Sequence, residues 1–433
     1  MKRSNIAVVL AAALAALALA PVWAGGGGEK KSDGTINLRF SWWGGEERNV
    51  IYQQICDRFE ADNPGIKITR EPGSWNDYFT KLATQVAGGG QPDIMQMHRN
   101  YVKMFSDNGI FLNLDDPSVK GIIDWTYIPQ VAIDTGVVDG KNIMINIGLS
   151  TNGIFTNTAI LKELGIPESR LENMSWETFE ALCNEIAQKS KGKYYGYPDD
   201  SFGPNETTLS MYMRSRGHNL YKEDGSLEFT KEDLTAWLEL FDRLRKSGGA
   251  PAATVSAEDQ GVTFEQSLFV AGKQAMHINS CNRLEIYQNL MPSQPLILER
   301  SPSYKGITGE NIGSANIAIS AKSRYPKEAA KFLDYFVNTE RSLELYLVQN
   351  GFPANTKMNE YVGSKLSPSM RLASEFMGVV NTAKNVTTLP AFPPPQNSQD
   401  ILRLLGDESQ AVAFGRKTIA RAVDDFFAAA GRL

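Results

Sequence analysis

Between residues 36 and 97 the apolar positions change period four times. INLRFSWW is an apolar run that reads as a strand and closes on Trp42-Trp43-Gly44-Gly45; Ile51, Ile55 and Phe59 then recur at helical spacing until Asn63-Pro64-Gly65 stops them. IKITRE is a second short strand. Tyr78, Leu82 and Val86 share one face of a second helix, which ends in Ala87-Gly88-Gly89-Gly90 before the strand Ile94-Met95-Gln96-Met97. Strands alternating with helices in this way predict a parallel sheet and an α/β fold. Further along, Val138 to Asn157 reads as a strand pair around Asp139-Gly140-Lys141, and Ser175 is the expected N-cap of a helix with Thr178 at N3. Ala329, Phe332, Leu333 and Phe336 mark the core face of a later helix, with Pro326 near its start. Ile419, Val423, Phe426 and Phe427 mark that of a carboxy-terminal one.

The amino terminus follows a different pattern. Lys2 and Arg3 precede an unbroken apolar run, Ile6 to Ala20, which is shorter than the roughly 20 residues of a bilayer span. This predicts a cleaved secretory signal peptide over 1–24, with Val22-Trp23-Ala24 at the cleavage site. A flexible Gly- and Lys-rich leader is expected over 25–34; its glycines lack the Gly-Lys-Ser/Thr ending of a phosphate loop. No cysteine lies near the cleavage site, so no lipid anchor is expected and the mature protein is expected free in the periplasm.

Composition fits a secreted, well-cored protein: 42% of residues are hydrophobic, and the chain is long enough for two domains. Losing Lys2 and Arg3 takes the formal net charge from −5 to −7 and leaves no basic block, which argues against nucleic acid as a partner. Cys56, Cys183 and Cys281 are too few and too scattered for a disulfide framework or a zinc site, and read as buried thiols.

FEADNPGIKI, LATQVAGGGQPDIMQM and the Trp-Trp-Gly-Gly start resemble the family 1 extracellular solute-binding proteins of bacterial ABC sugar importers, the maltose- and oligosaccharide-binding type. Four later segments carry the same resemblance: the polar turn Ser150-Thr151-Asn152 with Phe155-Thr156-Asn157, Met174 to Phe179, Phe269 to Met276, and Gly313 to Ser320 followed by Tyr325 to Leu333. Gly351-Phe352-Pro353-Ala354 is similar to that family's last crossing. The resemblance covers nearly the whole mature chain and implies a two-lobed periplasmic-binding-protein fold of α/β class with discontinuous lobes. Lobe 1 would comprise 35–148 and 310–352, and lobe 2 would comprise 149–309 and 353–433, with hinge crossings near Gly148, Gly309 and Phe352. In such a layout the ligand lies between the lobes, where strand-end loops meet it, and contacts to both lobes draw them closed.

Candidate ligand contacts follow loop by loop. Trp42 and Trp43 are neighbours in a strand and must point to opposite faces, so Trp43 is expected to stack on a sugar ring while Trp42 joins the core. Gly44 belongs to the same turn. Glu46 opens the next helix, where capping and hydroxyl binding are both open to it. His98, Arg99 and Asn100 follow the third strand as hydrogen-bonding groups, Asn100 standing where relatives carry an acidic residue. Ser150 and Asn152 lie in the first crossing, and Asn205 and Glu206 sit before a helix over 207–216. Asn282 and Arg283 replace the Gly and Trp that relatives commonly carry. The proline-rich Phe392 to Asn397 segment fits either the cleft mouth or a surface linker.

No cofactor is expected, and His98, His218 and His277 have no metal-ligand spacing. A glycoside hydrolase would need two carboxylates about 5 to 9.5 Å apart across a bond, whereas Asp115-Asp116, Asp199-Asp200 and Asp424-Asp425 are adjacent pairs; Gly-x-Ser-x-Gly and His-Glu-x-x-His are absent. The resemblance therefore implies a non-enzymatic, monomeric binding component that captures an oligosaccharide and delivers it to ABC permease subunits in the inner membrane. Two alternatives stay open. Arg99 and Arg283 would suit an acidic, uronate-bearing oligosaccharide, and a peptide or polyamine ligand is the other.

Overall fold

The computed structural model describes residues 34–203, 205–389 and 392–433. The expected signal peptide, and the leader apart from Gly34, lie outside the described residues. The strands are β1 (Ile36–Trp43), β2 (Ile66–Gly73), β3 (Ile94–His98), β4 (Val137–Val138), β5 (Lys141–Asn142), β6 (Ile145–Asn157), β7 (Met276–Ser280), β8 (Leu296–Glu299) and β9 (Ile312–Ile319). Helices Glu46–Asp62 and Trp75–Ala87 join the first three, as the periodicity predicts.

The main sheet runs β2-β1-β3-β9-β6-β7, with β8 also on β6. β1 and β3 are parallel, with Phe40 opposite Ile94. β9 is antiparallel to both β3 and β6, so the sheet is mixed rather than parallel throughout. Crossover helices force parallel strands only within 36–97; β9 arrives from a distant part of the chain, without such a helix, and enters reversed.

β6 is the joint of the molecule. Residues 145–151 pair with β9, whereas 152–157 pair with β7 and β8, so one 13-residue strand serves two half-sheets. Its register shifts between Asn146 and Gly148. A Cβ on Gly148 would lie 2.5 Å from the Asn350 carbonyl oxygen, and one on Gly351, at φ +109°, 2.5 Å from that of Leu149. Only glycine allows two crossing strands to approach this closely. Leu149 and Phe352 then exchange backbone hydrogen bonds of 2.8 and 2.7 Å. At the remaining crossing, Thr151 Oγ1 donates to the Asn311 carbonyl at 2.9 Å.

Each lobe has its own core. In the first, β1 divides its aromatics between two faces: Trp42 packs with Phe40 and Tyr52, while Trp43 joins Tyr78, Phe79, Met95 and Met97. Ala329, Phe332, Leu333 and Phe336 are fully buried. The second core gathers Trp176, Phe179, Tyr212, Trp237 and Phe241, to which the carboxy-terminal helices add Ile401, Leu405, Val423 and Phe426; Ile419 and Phe427 are partly buried against it. Ser175 accepts from the Thr178 backbone N–H, and the Thr178 hydroxyl accepts from that of Ser175, so threonine completes the capping box that Glu usually forms. Cys56, Cys183 and Cys281 are buried, free thiols. Among the described residues no helix is long and apolar enough to cross a membrane.

Candidate functional site

Loops from the two lobes converge on a narrow, open cleft of about 80 Å³. Arg99 and Asn100 reach it from the start of helix Arg99–Ser106, which follows β3 directly; His98 caps that helix by accepting from the Asn100 backbone N–H. From the other side come Glu206, Ser210 and Arg214, spaced four apart and therefore on one face of helix Glu206–Ser215. Asn219, Leu220 and Tyr221 follow that helix into the cleft, Asn311 enters from a crossing, and Phe392 and Pro394 bring in the proline-rich segment.

The two sides touch. Asn100 Nδ2 donates to Glu206 Oε2 at 2.5 Å. Burial pushes the Glu206 carboxyl up to about 7, against the opposing pull of Arg99. Burial also lowers Arg99, and it takes Arg214 down to about 10, with the charge of Arg99 as the next cause. Arg214 donates to Asn219 Oδ1 and, at 2.9 Å, to the Leu389 carbonyl. Tyr101 and Tyr221 are raised by burial and then by the Glu206 carboxylate, so both hydroxyls keep their protons.

Asn205 positions Glu206 rather than lining the cleft. It is the N-cap, accepting from the Thr208 backbone N–H at 3.3 Å, while its Nδ2 donates to Asp200 at 2.8 Å. Asp200 in turn accepts from the Thr208 hydroxyl and is raised by burial to about 6. Helix start and preceding loop are thereby tied together, which fixes where the Glu206 carboxyl can go.

An aromatic shelf adjoins this cluster. Trp75, 43% exposed at the start of helix Trp75–Ala87, stands edge-on to His98, Trp43 and Tyr101 at ring separations of 5.2, 5.4 and 6.1 Å. Tyr101 stacks on Phe79 at 3.7 Å. Trp43 lies under the shelf and is only 8% exposed, leaving Trp75 as the indole that solvent reaches. Burial, then Arg99, lowers His98 to about 4, so its ring is neutral at neutral pH.

A third group lies at the crossings. Asn282 Oδ1 accepts from Ser150 and Ser280 hydroxyls at 2.8 and 2.7 Å, and its Nδ2 donates to the Gln349 carbonyl at 2.9 Å. Asn152 pairs with Ser280 in the strand register. Arg48 donates to the Trp43 carbonyl at 3.1 Å and covers Gly44, where a Cβ would lie 2.6 Å from Arg48 Cδ. Glu46 is exposed at its helix start. Arg283 is also exposed and does not line the cleft, although its charge helps lower Arg48 and His277.

The structure thus brings together Arg99, Asn100 and Glu206, and separately Ser150 with Asn282. Trp75, Arg214 and Tyr221 escaped the sequence reading. The four-residue spacing of Glu206, Ser210 and Arg214 was a usable signal for Arg214. A tryptophan directly after the N-cap Ser74 was one for Trp75.

A family model described as bacterial extracellular solute-binding protein matches residues 54–371. The multiple sugar-binding protein of Streptococcus mutans is 24% identical over 352 residues, 76% of this chain and 77% of that one. A family 1 extracellular solute-binding protein from Alicyclobacillus acidocaldarius superposes with a TM-score of 0.69 at 26% identity, covering 92% of this chain and 98% of its own. A periplasmic oligogalacturonide-binding protein from Yersinia enterocolitica, solved with saturated digalacturonic acid, gives a TM-score of 0.78 at 20% identity over 90% and 96%.

Proposed function

The chain belongs to the bacterial extracellular solute-binding proteins, and we propose that within them it is the periplasmic substrate-binding component of an ABC importer that captures an oligosaccharide between its lobes. The observation that carries this reading is the cleft itself: Arg99 and Asn100 from one lobe face Glu206, Ser210 and Arg214 from the other, beside an aromatic shelf. Amides, hydroxyls and guanidinium groups suit the many donors and acceptors of a saccharide, and an exposed indole suits the C–H face of its ring. Similarity to a multiple sugar-binding protein supports the same ligand class.

Closure follows from the geometry of the crossings. Ligand contacts made to both lobes are complete only when the lobes are together, so binding shifts the population toward the closed form. The closed protein then presents both lobes to permease subunits in the membrane. It acts as a monomer, after removal of the signal peptide, and leaves its ligand chemically unchanged.

Calorimetry against panels of oligosaccharides, peptides and polyamines tests the proposal. A saccharide is expected to bind with a dissociation constant near micromolar, about −8 kcal/mol. Binding of a peptide or polyamine with no response to any saccharide would reverse it.

A further inference from the structure

We propose that Asn282 is the clasp of the hinge, a positioning residue that favours the closed form through the crossings without touching the ligand; this deepens, and rests on, the reading of capture by lobe closure. Asn282 follows β7, whose Met276 and Ile278 belong to the second core. Its amide oxygen accepts from the Ser150 and Ser280 hydroxyls at 2.8 and 2.7 Å, which occupies both lone pairs of that oxygen. Its Nδ2 donates to the Gln349 carbonyl at 2.9 Å. The amide is thereby spent inside the protein, with a single N–H left over.

Gln349 is held by the other lobe. It lies three residues past Tyr346, which stacks on Phe336 in the first core, and Arg48 Nε donates to its side-chain oxygen at 3.3 Å. The next residue, Asn350, accepts from the buried Tyr52 hydroxyl at 2.9 Å. Leu347 at φ +44° and Gly351 at φ +109° bracket this segment, and such backbone persists only where surrounding contacts impose it. The Gln349 carbonyl is therefore presented on a fixed turn rather than a slack loop. Ser150 brings in the first crossing, since its neighbour Leu149 exchanges backbone hydrogen bonds with Phe352 of the last one. One amide thus ties two crossings to the second lobe. Rotation about these crossings parts Asn282 from Gln349, so their bond counts toward the closed form alone, and by the same amount whichever saccharide lies in the cleft.

Asn282→Asp separates the two halves of the clasp: its carboxylate still accepts from both serines, but it has no N–H for Gln349 and sets an oxygen against that carbonyl. Asn282→Ser removes the amide without adding charge. Small-angle scattering on each unliganded variant, shown by its melting curve to be folded, is expected to give a larger radius of gyration than the parent. In calorimetry with maltotriose, cellobiose and digalacturonate, every affinity that the parent shows is expected to fall by a common factor of roughly 3- to 10-fold, because a change in the closed fraction scales all ligands alike. An altered ranking of the saccharides would make Asn282 a ligand contact and overturn the proposal. A radius equal to the parent's in both variants would overturn it too, leaving Asn282 a purely structural role; if saccharides still bind, capture stands without the clasp. Scattering needs no ligand, so if no saccharide binds the parent, saccharide capture falls while the radius alone decides the clasp.

Discussion

The Asn100 amide donates to the Glu206 carboxylate at 2.5 Å although the two residues stand 106 positions apart in the chain and on opposite lobes. Such a bond exists only while the lobes are together, so it weights the closed form before any ligand arrives. A hydrogen bond to a charged group contributes about 1.5–3 kcal/mol. We expect Asn100→Ala to open the unliganded protein and to weaken saccharide binding by roughly 10-fold or more. Small-angle scattering would report the larger radius of gyration, and calorimetry the lost affinity. An unchanged radius together with unchanged affinity would remove this contact from the mechanism.

Glu206 also makes stability depend on pH in a defined direction. Its carboxyl is raised from 4.5 to about 7. The folded protein therefore holds a proton that the unfolded chain has released, and this contribution, complete below pH 4.5, is lost as pH rises through 7. Glu206→Gln carries no titrating group there. Its melting temperature should rise relative to the parent from pH 5 to pH 8, by the equivalent of at most about 3 kcal/mol. Asp200, Glu299, His98 and His277 also titrate away from their ordinary values, but they are common to both proteins and largely cancel in the difference. A difference that stays constant across this range would contradict the assignment.

The tryptophans separate binding from folding. Trp75 is exposed on the shelf, so Trp75→Ala should weaken saccharide binding about 5- to 100-fold and barely move the melting temperature. Trp42→Ala empties a fully buried site and should cost about 3–5 kcal/mol of stability. Trp43 supports Trp75 from below, so Trp43→Ala should lower both quantities. Melting curves and ligand-induced tryptophan fluorescence on the three variants check this; normal binding by Trp75→Ala would take the shelf out of the site.

Gly351 tests the crossings. Its φ of +109° and the nearby Leu149 carbonyl leave no room for a side chain. Gly351→Ala should destabilise the protein by about 1–3 kcal/mol or more, seen as a lower denaturant midpoint. An unchanged midpoint would show that the crossing strands can separate at little cost.

Much of this architecture was legible in the sequence because it rests on local periodicity. Ile55 and Phe59 mark one buried helix face, Tyr78 and Leu82 another, and Ser175 with Thr178 announces its own helix start. What stayed hidden depends on distant segments meeting. Nothing local to Ile312–Ile319 says that this strand enters the sheet antiparallel. The alternation of Trp42 and Trp43 gives opposite faces, but not that both faces are covered, because Tyr52 covers one and Tyr78 and Phe79 the other. Arg99 was visible as a loop cation; that Glu206 and Arg214, from a distant helix, line the same cleft was not.

Native mass spectrometry of the purified protein, titrated with a panel of oligosaccharides and followed for hours, tests saccharide capture most directly. A one-to-one complex with one or more of these sugars, its added mass equal to that of the intact ligand and unchanged with time, is the expected result. No adduct with any saccharide, or the appearance of fragment masses as the complex ages, would contradict it.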